Sequence, residues 1–447
     1  MARFLVAQQK YLELLELGQT SKALSVLRRE LAPLASPTHP IDSDLFSLMM
    51  CGSVEEIRQR AMWSGVGQGS RIRLLEDLQA LIPPDKLLPH RRLSHLLEQS
   101  KNLQRLQCLY HVTNPPISLL SNHTCSRFSF PIQTSHVLSQ HSDEVWRIEW
   151  SHDGTRLASA GRDTRCIIWK LTPVKGNTRQ ITIAVHLVLD GHPAGISCIA
   201  WSPDDSVLLT GSDCTIKMWN TRTGDCISTM VKHEYDVSAL SWLPDGQGFV
   251  SGGMDSDVLF WDLKGQTTFM WRVSPSRILD LAVSPDGKRL VAIGIAQVNV
   301  GNSQTEPSQS SSAQLTRELT CVSISHDSKY ALINQSPNEV HLYSLDTHCL
   351  IRRYVGQKQG EFVIRSCFGG LDRNFILSGS EDSKIYVWHK ETGSLIEVLN
   401  GHSEGSVNAV AWNPKHPTMF ASAGDDHTVR IWQAPGDERE SSPVNVK

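Results

Sequence analysis

The sequence predicts a mainly β protein, a seven-bladed β-propeller preceded by an α-helical domain. Three observations carry that prediction. A turn-and-strand phrase closing on Trp recurs through the last two thirds of the chain. Near residue 136 the apolar pattern changes from helical spacing to strand alternation. The closing tryptophans stand one blade length apart, or a multiple of it.

The clearest copy of the phrase runs Gly379-Ser380-Glu381-Asp382-Ser383-Lys384-Ile385-Tyr386-Val387-Trp388. Its first half is turn-forming, and Ile385, Tyr386 and Val387 are strand formers. The same six-residue step leads from Asp163 to Trp169, Asp213 to Trp219, Asp255 to Trp261 and Asp426 to Trp432. Successive closing tryptophans are separated by 50, 42, 127 and 44 residues. The long interval divides into three steps of roughly 42, the length of a four-stranded blade. Two degenerate repeats therefore lie inside it. Val340 to Leu345 resembles Val258 to Leu263, with Tyr343 in the Trp place. The other begins at Ile278 and passes into a polar stretch near 301–314, expected to be a disordered insertion. Its last strand is expected to be short, near Gln297 to Val300, or missing. The first strands end in related turns such as Ser151-His152-Asp153-Gly154 and Ser284-Pro285-Asp286-Gly287. A strand near Gln133 to Leu138 is expected to complete the seventh blade and latch the ring.

Residues 1–112 read as helices. Leu12, Leu15, Ala23, Leu24, Leu27 and Leu31 have helical spacing, and Gly18 separates two segments. Ser53-Val54-Glu55-Glu56 has the form of a capping box. A further helix carries Ile72, Leu74, Leu75, Leu78 and Leu81. A last one, about Arg91 to Leu109, is expected to turn Leu93, Leu96, Leu97, Leu103 and Leu106 inward. Because Phe4, Leu5 and Val6 open the pattern without a cap, the first helix is expected to pack on a partner or a second copy. Residues 113–135 read as a linker, 136–434 as the propeller and 435–447 as a disordered tail.

The composition bears on function mainly by exclusion. Net charge is −3, from 43 basic and 46 acidic residues, so electrostatics make no case for nucleic acid or an anionic membrane. No apolar run is long enough to span a bilayer. The ten cysteines include no Cys-x-x-Cys pair, and reduced thiols in cytoplasm or nucleus are expected. Gly65 to Gly69 is glycine-rich but lacks the strand and the Lys of a phosphate loop. Cys108, His111, His123 and Cys125 invite a zinc reading. Their spacings are unlike common structural sites, so they are taken as ordinary loop residues. No metal or cofactor is expected.

Gly191-His192 and Gly401-His402 opening repeats, with Trp261-Asp262 closing one, resemble the WD-repeat family over about 300 residues. Good repeats hold a hydroxyl, a His and an Asp: His141, Ser159 and Asp163; His192, Thr210 and Asp213; His233, Ser251 and Asp255; His402, Ser422 and Asp426. Each could be mistaken for a hydrolase triad. Recurrence once per blade and termination on Trp point instead to buried bond sets. The resemblance implies a chain from Trp169, Trp219, Trp261 or Trp432 through the hydroxyl and His to Asp. Blade six keeps Ser378, Asp382 and Trp388 without a His, and blades four and five lack most of the set. Those blades are expected to be softer.

Without a nucleotide loop or credible nucleophile, the propeller reads as a non-enzymatic binding platform. Rim positions offered for protein contact are Glu144, Trp146, Arg162, Asp236, Met254, Arg277, Glu318, Phe362, Glu381 and Asp425. Trp146 and Phe362 are favoured, because exposed aromatics are frequent in hot spots. Lys10 to Glu16 with Ala23 to Arg28 looks like the later part of a CTLH motif, and Leu87 to Leu93 with Gln107 to His111 resembles CRA-type helices. In this order, followed by Ser126-Arg127-Phe128-Ser129-Phe130-Pro131 and a propeller, they are similar to the WD-repeat subunits of GID/CTLH ubiquitin ligases. The LisH segment and early CTLH part of that family have no counterpart in 1–112. The resemblance implies a non-catalytic subunit, with helices packed on sister CTLH subunits or a second copy, and a propeller holding substrates or modulators near the catalytic RING subunits. A cullin-type substrate receptor is the alternative. Trp219-Asn220-Thr221-Arg222 approaches the Trp-Asp-x-Arg of that class but lacks its Asp. A general signalling scaffold has only the fold in its favour.

Overall fold

The computed structural model describes residues 1–34, 43–83, 89–112, 118, 120–174, 177–272, 277–295, 297–302, 311–314, 317–360 and 362–435. The chain forms two compact units, Met1–Ser100 and Lys101–Lys447. The stretch expected to be a disordered tail is, from 436 onward, outside the described residues.

In the first unit, helices Ala2–Glu16 and Thr20–Val26 supply most of the core. Phe4, Ala7, Tyr11 and Leu15 recur every three or four residues and are buried with Ala23, Leu27, Leu31, Leu48 and Ile57. Phe4 is thus covered within the unit, while Val6 beside it stays exposed. Tyr11 buries its ring and donates its hydroxyl to the Leu45 carbonyl at 2.7 Å. Ser53 caps Val54–Arg60 by accepting from the Glu56 amide, and the Glu56 carboxylate accepts from Gly52 rather than Ser53.

Helices Gln68–Leu81 and Arg92–Gln107 differ from expectation in one respect. Leu93, Leu96, Leu97, Leu103 and Leu106 are 38 to 71% exposed, and Ile72, Leu75 and Leu81 are exposed as well. Helical periodicity identifies an apolar face but not what covers it.

The second unit contains seven four-stranded antiparallel sheets. Blade one comprises Val145–Trp150, Arg156–Gly161, Cys166–Val174 and Asn177–Leu189. First strands in blades two to seven begin at Cys198, Val237, Asp280, Leu319, Ser366 and Val407. Blade seven is completed by Gln133–Leu138, which pairs with Val429–Gln433 in the register Val137 to Arg430, with a bulge between Thr134 and His136. Blade four is complete: Gln297–Asn302 is its third strand and Ser311–Gln314 its fourth. The expected disordered insertion is thus corrected at both ends, and 303–310 lie outside the described residues. Polarity misled there because an outermost strand needs backbone pairing more than apolar side chains.

Middle strands are buried on both faces, since the apolar clusters lie between neighbouring blades. Ala158, Ile168, Ile199, Trp201 and Leu208 join blades one and two, and Leu332, Tyr354, Phe368 and Trp388 join five and six. Recurrent tryptophans at the ends of first strands add inter-blade hydrogen bonds. Trp150 donates its indole N–H to the Ala411 carbonyl at 3.0 Å, Trp201 to Glu149 at 3.1 Å and Trp242 to Ala200 at 3.1 Å. The linker also belongs to this unit: Val112 and Phe130 are buried against Phe375 and Trp412 between blades six and seven.

Blades four to six are joined by a buried ion pair. Arg365 donates to the Asp280 carboxylate at 2.9 Å, which also accepts from the Val322 amide at 3.0 Å. Asp280 and Arg365 are 1% and 9% exposed, so removing either partner strands a charge. Arg365→Met is expected to cost about 3–5 kcal/mol and to lower the melting temperature of the chain, while adding Asp280→Leu recovers most of the loss. Thermal unfolding of the single and double variants checks this.

Candidate binding rim

Three blades carry the full polar set. In blade one the Trp169 indole donates to Ser159 Oγ at 2.8 Å, and Ser159 pairs with His141 Nε2 at 2.8 Å. His141 Nδ1 lies 2.8 Å from Asp163. Blade three repeats this with Trp261, Ser251, His233 and Asp255, and blade seven with Trp432, Ser422, His402 and Asp426. Since each indole can only donate, the hydroxyl gives its proton to His Nε2, and Nδ1–H faces the carboxylate. Every hydroxyl is fully buried, so none presents a nucleophile to a substrate.

The Asp ends of these sets position the rim. Asp163 accepts from the Ser142 amide, Asp255 from Glu234 and Asp426 from Ser403, each in the loop entering a first strand. Burial alone would raise the Asp163 and Asp426 carboxyls. Hydrogen bonds from His141 and His402 and from neighbouring amides outweigh it and hold both below the usual range.

Blade two departs from the expected set. Thr210 links Trp219 and His192 at 2.8 and 2.6 Å, but His192 Nδ1 has no partner and Asp213 does not reach it. The turn explains the break. Four residues separate strands Arg156–Gly161 and Cys166–Val174, but only Asp213 and Cys214 separate Val207–Ser212 from Thr215–Asn220. Asp213 takes a positive φ of 49° at this tight turn and meets Asp236, whose carboxyl is raised by burial and then by that neighbour. Burial, with Lys217 nearby, lowers His192 to about 4.

Blade six is not a truncated version of the set either. Trp388 donates to the Val355 carbonyl at 3.1 Å, Ser378 donates to Gly379, and Asp382 accepts from Tyr386 at 2.9 Å. Ser378, Asp382 and Trp388 are therefore not joined in one chain. Gly379 is required here, since a Cβ would overlap the Val407 carbonyl oxygen of the next blade. In blade five the Asn334 amide donates to the Ile364 carbonyl at 3.0 Å, and Gln359 to Thr320 at 2.8 Å. The degenerate blades are thus tied by different polar contacts.

The proposed rim residues fall into two groups. Glu144 accepts from the Trp146 indole at 2.9 Å and from Arg162 at 3.2 Å. Glu381 accepts from the Gly360 and Phe362 amides, and Asp425 from Ser406 and Asn408. These three carboxylates hold loops in place, and Trp146 is half-buried. Arg162, Asp236, Arg277, Glu318 and Phe362 are exposed, and Met254 is half-buried. Phe362 is 56% exposed beside Val363 at 49%, and Tyr235 is exposed at 61%. Tyr235 and Val363 are absent from the sequence-based set. Their adjacency to Asp236 and Phe362 is the signal for finding them.

Asp426→Asn is expected to cost about 1.5–3 kcal/mol, the range for hydrogen bonds to a charged group, while Asp213→Asn changes little. The Asp163 and Asp426 contributions are complete above the ordinary carboxyl pKa of about 3.9 and disappear as pH falls through their depressed folded values. The melting-temperature gap between wild type and Asp426→Asn is therefore expected to close on acidification. Thermal melts across an acid pH series check both outcomes.

The model for the WD domain, G-beta repeat matches residues 132–170, 184–220, 224–262, 349–389 and 393–433. A WD repeat-containing protein 26 homolog of Arabidopsis thaliana is 37% identical over 436 residues, covering 96% of this chain and 72% of that protein. The WD repeat-containing protein 26 homolog of Drosophila melanogaster is 36% identical over 443 residues, 96% of this chain and 69% of its own length. GID complex subunit 7 of Schizosaccharomyces pombe is 37% identical over 439 residues, 96% of this chain and 83% of that protein.

Proposed function

The chain belongs to the WD-repeat family that includes the WD repeat-containing protein 26 homologs and GID complex subunit 7, and from that premise we propose that it is a non-catalytic subunit of a GID/CTLH-type ubiquitin ligase. It assembles through its helices and recruits substrates or modulators on its propeller rim. The observation carrying this reading is the uncovered leucine face of Arg92–Gln107. A contiguous apolar stripe of this kind is the mark of a protein contact, and it fits a sister CTLH or RING subunit or a second copy. Phe362 with Val363, flanked by polar rim residues, has the composition of a contact centre.

The mechanism is proximity. A substrate held on the rim meets the catalytic subunits at an effective concentration set by the geometry of the complex rather than by free diffusion. The ten cysteines, free throughout the described structure, support reducing compartments, and we place the subunit in cytoplasm and nucleus. Such a role asks no chemistry of the buried His-hydroxyl sets.

Leu96→Asp with Leu103→Asp is expected to reduce recovery of the RING and CTLH subunits by at least about tenfold, equivalent to about 1.4 kcal/mol, without changing the propeller melt. Phe362→Ala is expected to retain those subunits and lose bound substrate. Affinity purification with quantitative mass spectrometry separates the two effects. Recovery of a cullin adaptor without RING and CTLH subunits would contradict the assignment.

A further inference from the structure

The loop residues Cys108, His111, His123 and Cys125 converge in space. Their ligand atoms all lie within 4.8 Å of one another. His111 Nδ1 is 2.9 Å from His123 Nε2, and Cys125 Sγ is 3.6 and 3.2 Å from those same two atoms. The Cys125 amide points at Cys108 Sγ at 3.3 Å. A tetrahedral zinc with Zn–S of about 2.3 Å and Zn–N of about 2.0 Å places its ligand atoms about 3.3 to 3.8 Å apart. The two imidazole planes stand at 82°, with ring centroids 4.9 Å apart.

We propose that these four side chains form a structural Cys2His2 zinc site. Two thiolates and two imidazoles match the ligand preference of Zn²⁺, and four protein ligands leave no open position for catalysis. His111 is fully buried. Its other nitrogen, Nε2, has no hydrogen-bond partner and lies 4.0 Å from the Asp372 carboxylate in the blade-six turn. A carboxylate behind a ligating imidazole is the usual outer support of a zinc histidine. Binding releases the two thiol protons and leaves both imidazoles neutral at their ligating nitrogens.

Both arms of the site are already fixed on blade six. Tyr110, between Cys108 and His111, donates to Glu397 at 3.0 Å. Arg127, two residues beyond Cys125, grips the same carboxylate with two guanidinium nitrogens. The sequence spacing Cys-x-x-His and His-x-Cys looks unpromising because each half is unlike a familiar motif. The fold supplies the missing relation by anchoring both halves to one glutamate. Zinc then ties the two halves of the segment entering the propeller to each other, beside blade six, one of the blades that lack the His-hydroxyl set.

The test is metal analysis of the full chain purified without chelator. About one equivalent of zinc per chain is expected, with substitution by Co²⁺ giving thiolate charge-transfer and tetrahedral d–d bands. His111→Ala with Cys125→Ser is expected to lose that equivalent, while Cys226→Ser with Cys349→Ser, at exposed cysteines, retains it. Should the first variant fail to fold, the Co²⁺ spectrum of the unmodified chain decides. Absence of stoichiometric zinc together with an unperturbed Co²⁺ spectrum overturns the proposal, as does a Cys108–Cys125 disulfide in the intact protein.

Discussion

A ring of blades holds together only if its last sheet is tied to its first strand of chain. Here Gln133–Leu138 performs that closure by pairing with Val429–Gln433. Without it, blade seven would expose the edge of its third strand, and the cluster joining blades seven and one would lose Leu138. Each of the other clusters needs both neighbouring blades in place, so closure acts on all seven interfaces. Trp150, Trp201 and Trp242 reinforce it locally, each bonded to the strand of the preceding blade.

Polar groups inside the ring follow two solutions. Blades one, three and seven use Trp, Ser, His and Asp in a buried line whose carboxylate fixes a rim loop. Blades four to six use Asp280, Arg365, Asn334 and Gln359, which reach between blades. Both pair buried donors, although the Asn334 and Gln359 side-chain oxygens are left without a hydrogen-bond partner. Degeneracy in the repeat therefore changes which contacts hold a blade rather than leaving it without polar contacts. The softness expected of those blades depends on how these substitutes compare in energy.

Most of the ring was legible from the Asp-to-Trp step, because the same turn must be solved once per blade. The latch was legible from the strand before the first repeat. Blade four's outer strand was not, since Ser311 to Gln314 has a polar sequence and is held by its backbone. Nor was the break at Asp213, although its cause is a turn two residues shorter and hence visible in retrospect. The Trp150, Trp201 and Trp242 series could have been seen as well, each standing immediately before a turn. Rim positions were readable, but their division was not: whether Glu381 is available to a partner depends on the Gly360 and Phe362 amides. The leucine stripe was recognised by spacing and misassigned to a core. The convergence of Cys108, His111, His123 and Cys125 required the three-dimensional anchor at Glu397.

These parts give one account of the molecule: a rigid ring that offers shaped loops, and a helical surface with an unused apolar face. The central claim is that assembly uses the leucine face while the rim remains available to other proteins. Hydrogen–deuterium exchange of the chain alone and in complex with RING and CTLH subunits tests it most directly. The account predicts new protection across residues 92–107 on assembly and unchanged exchange at the Phe362 and Asp236 loops. Protection of those rim loops with an unchanged leucine helix would contradict it.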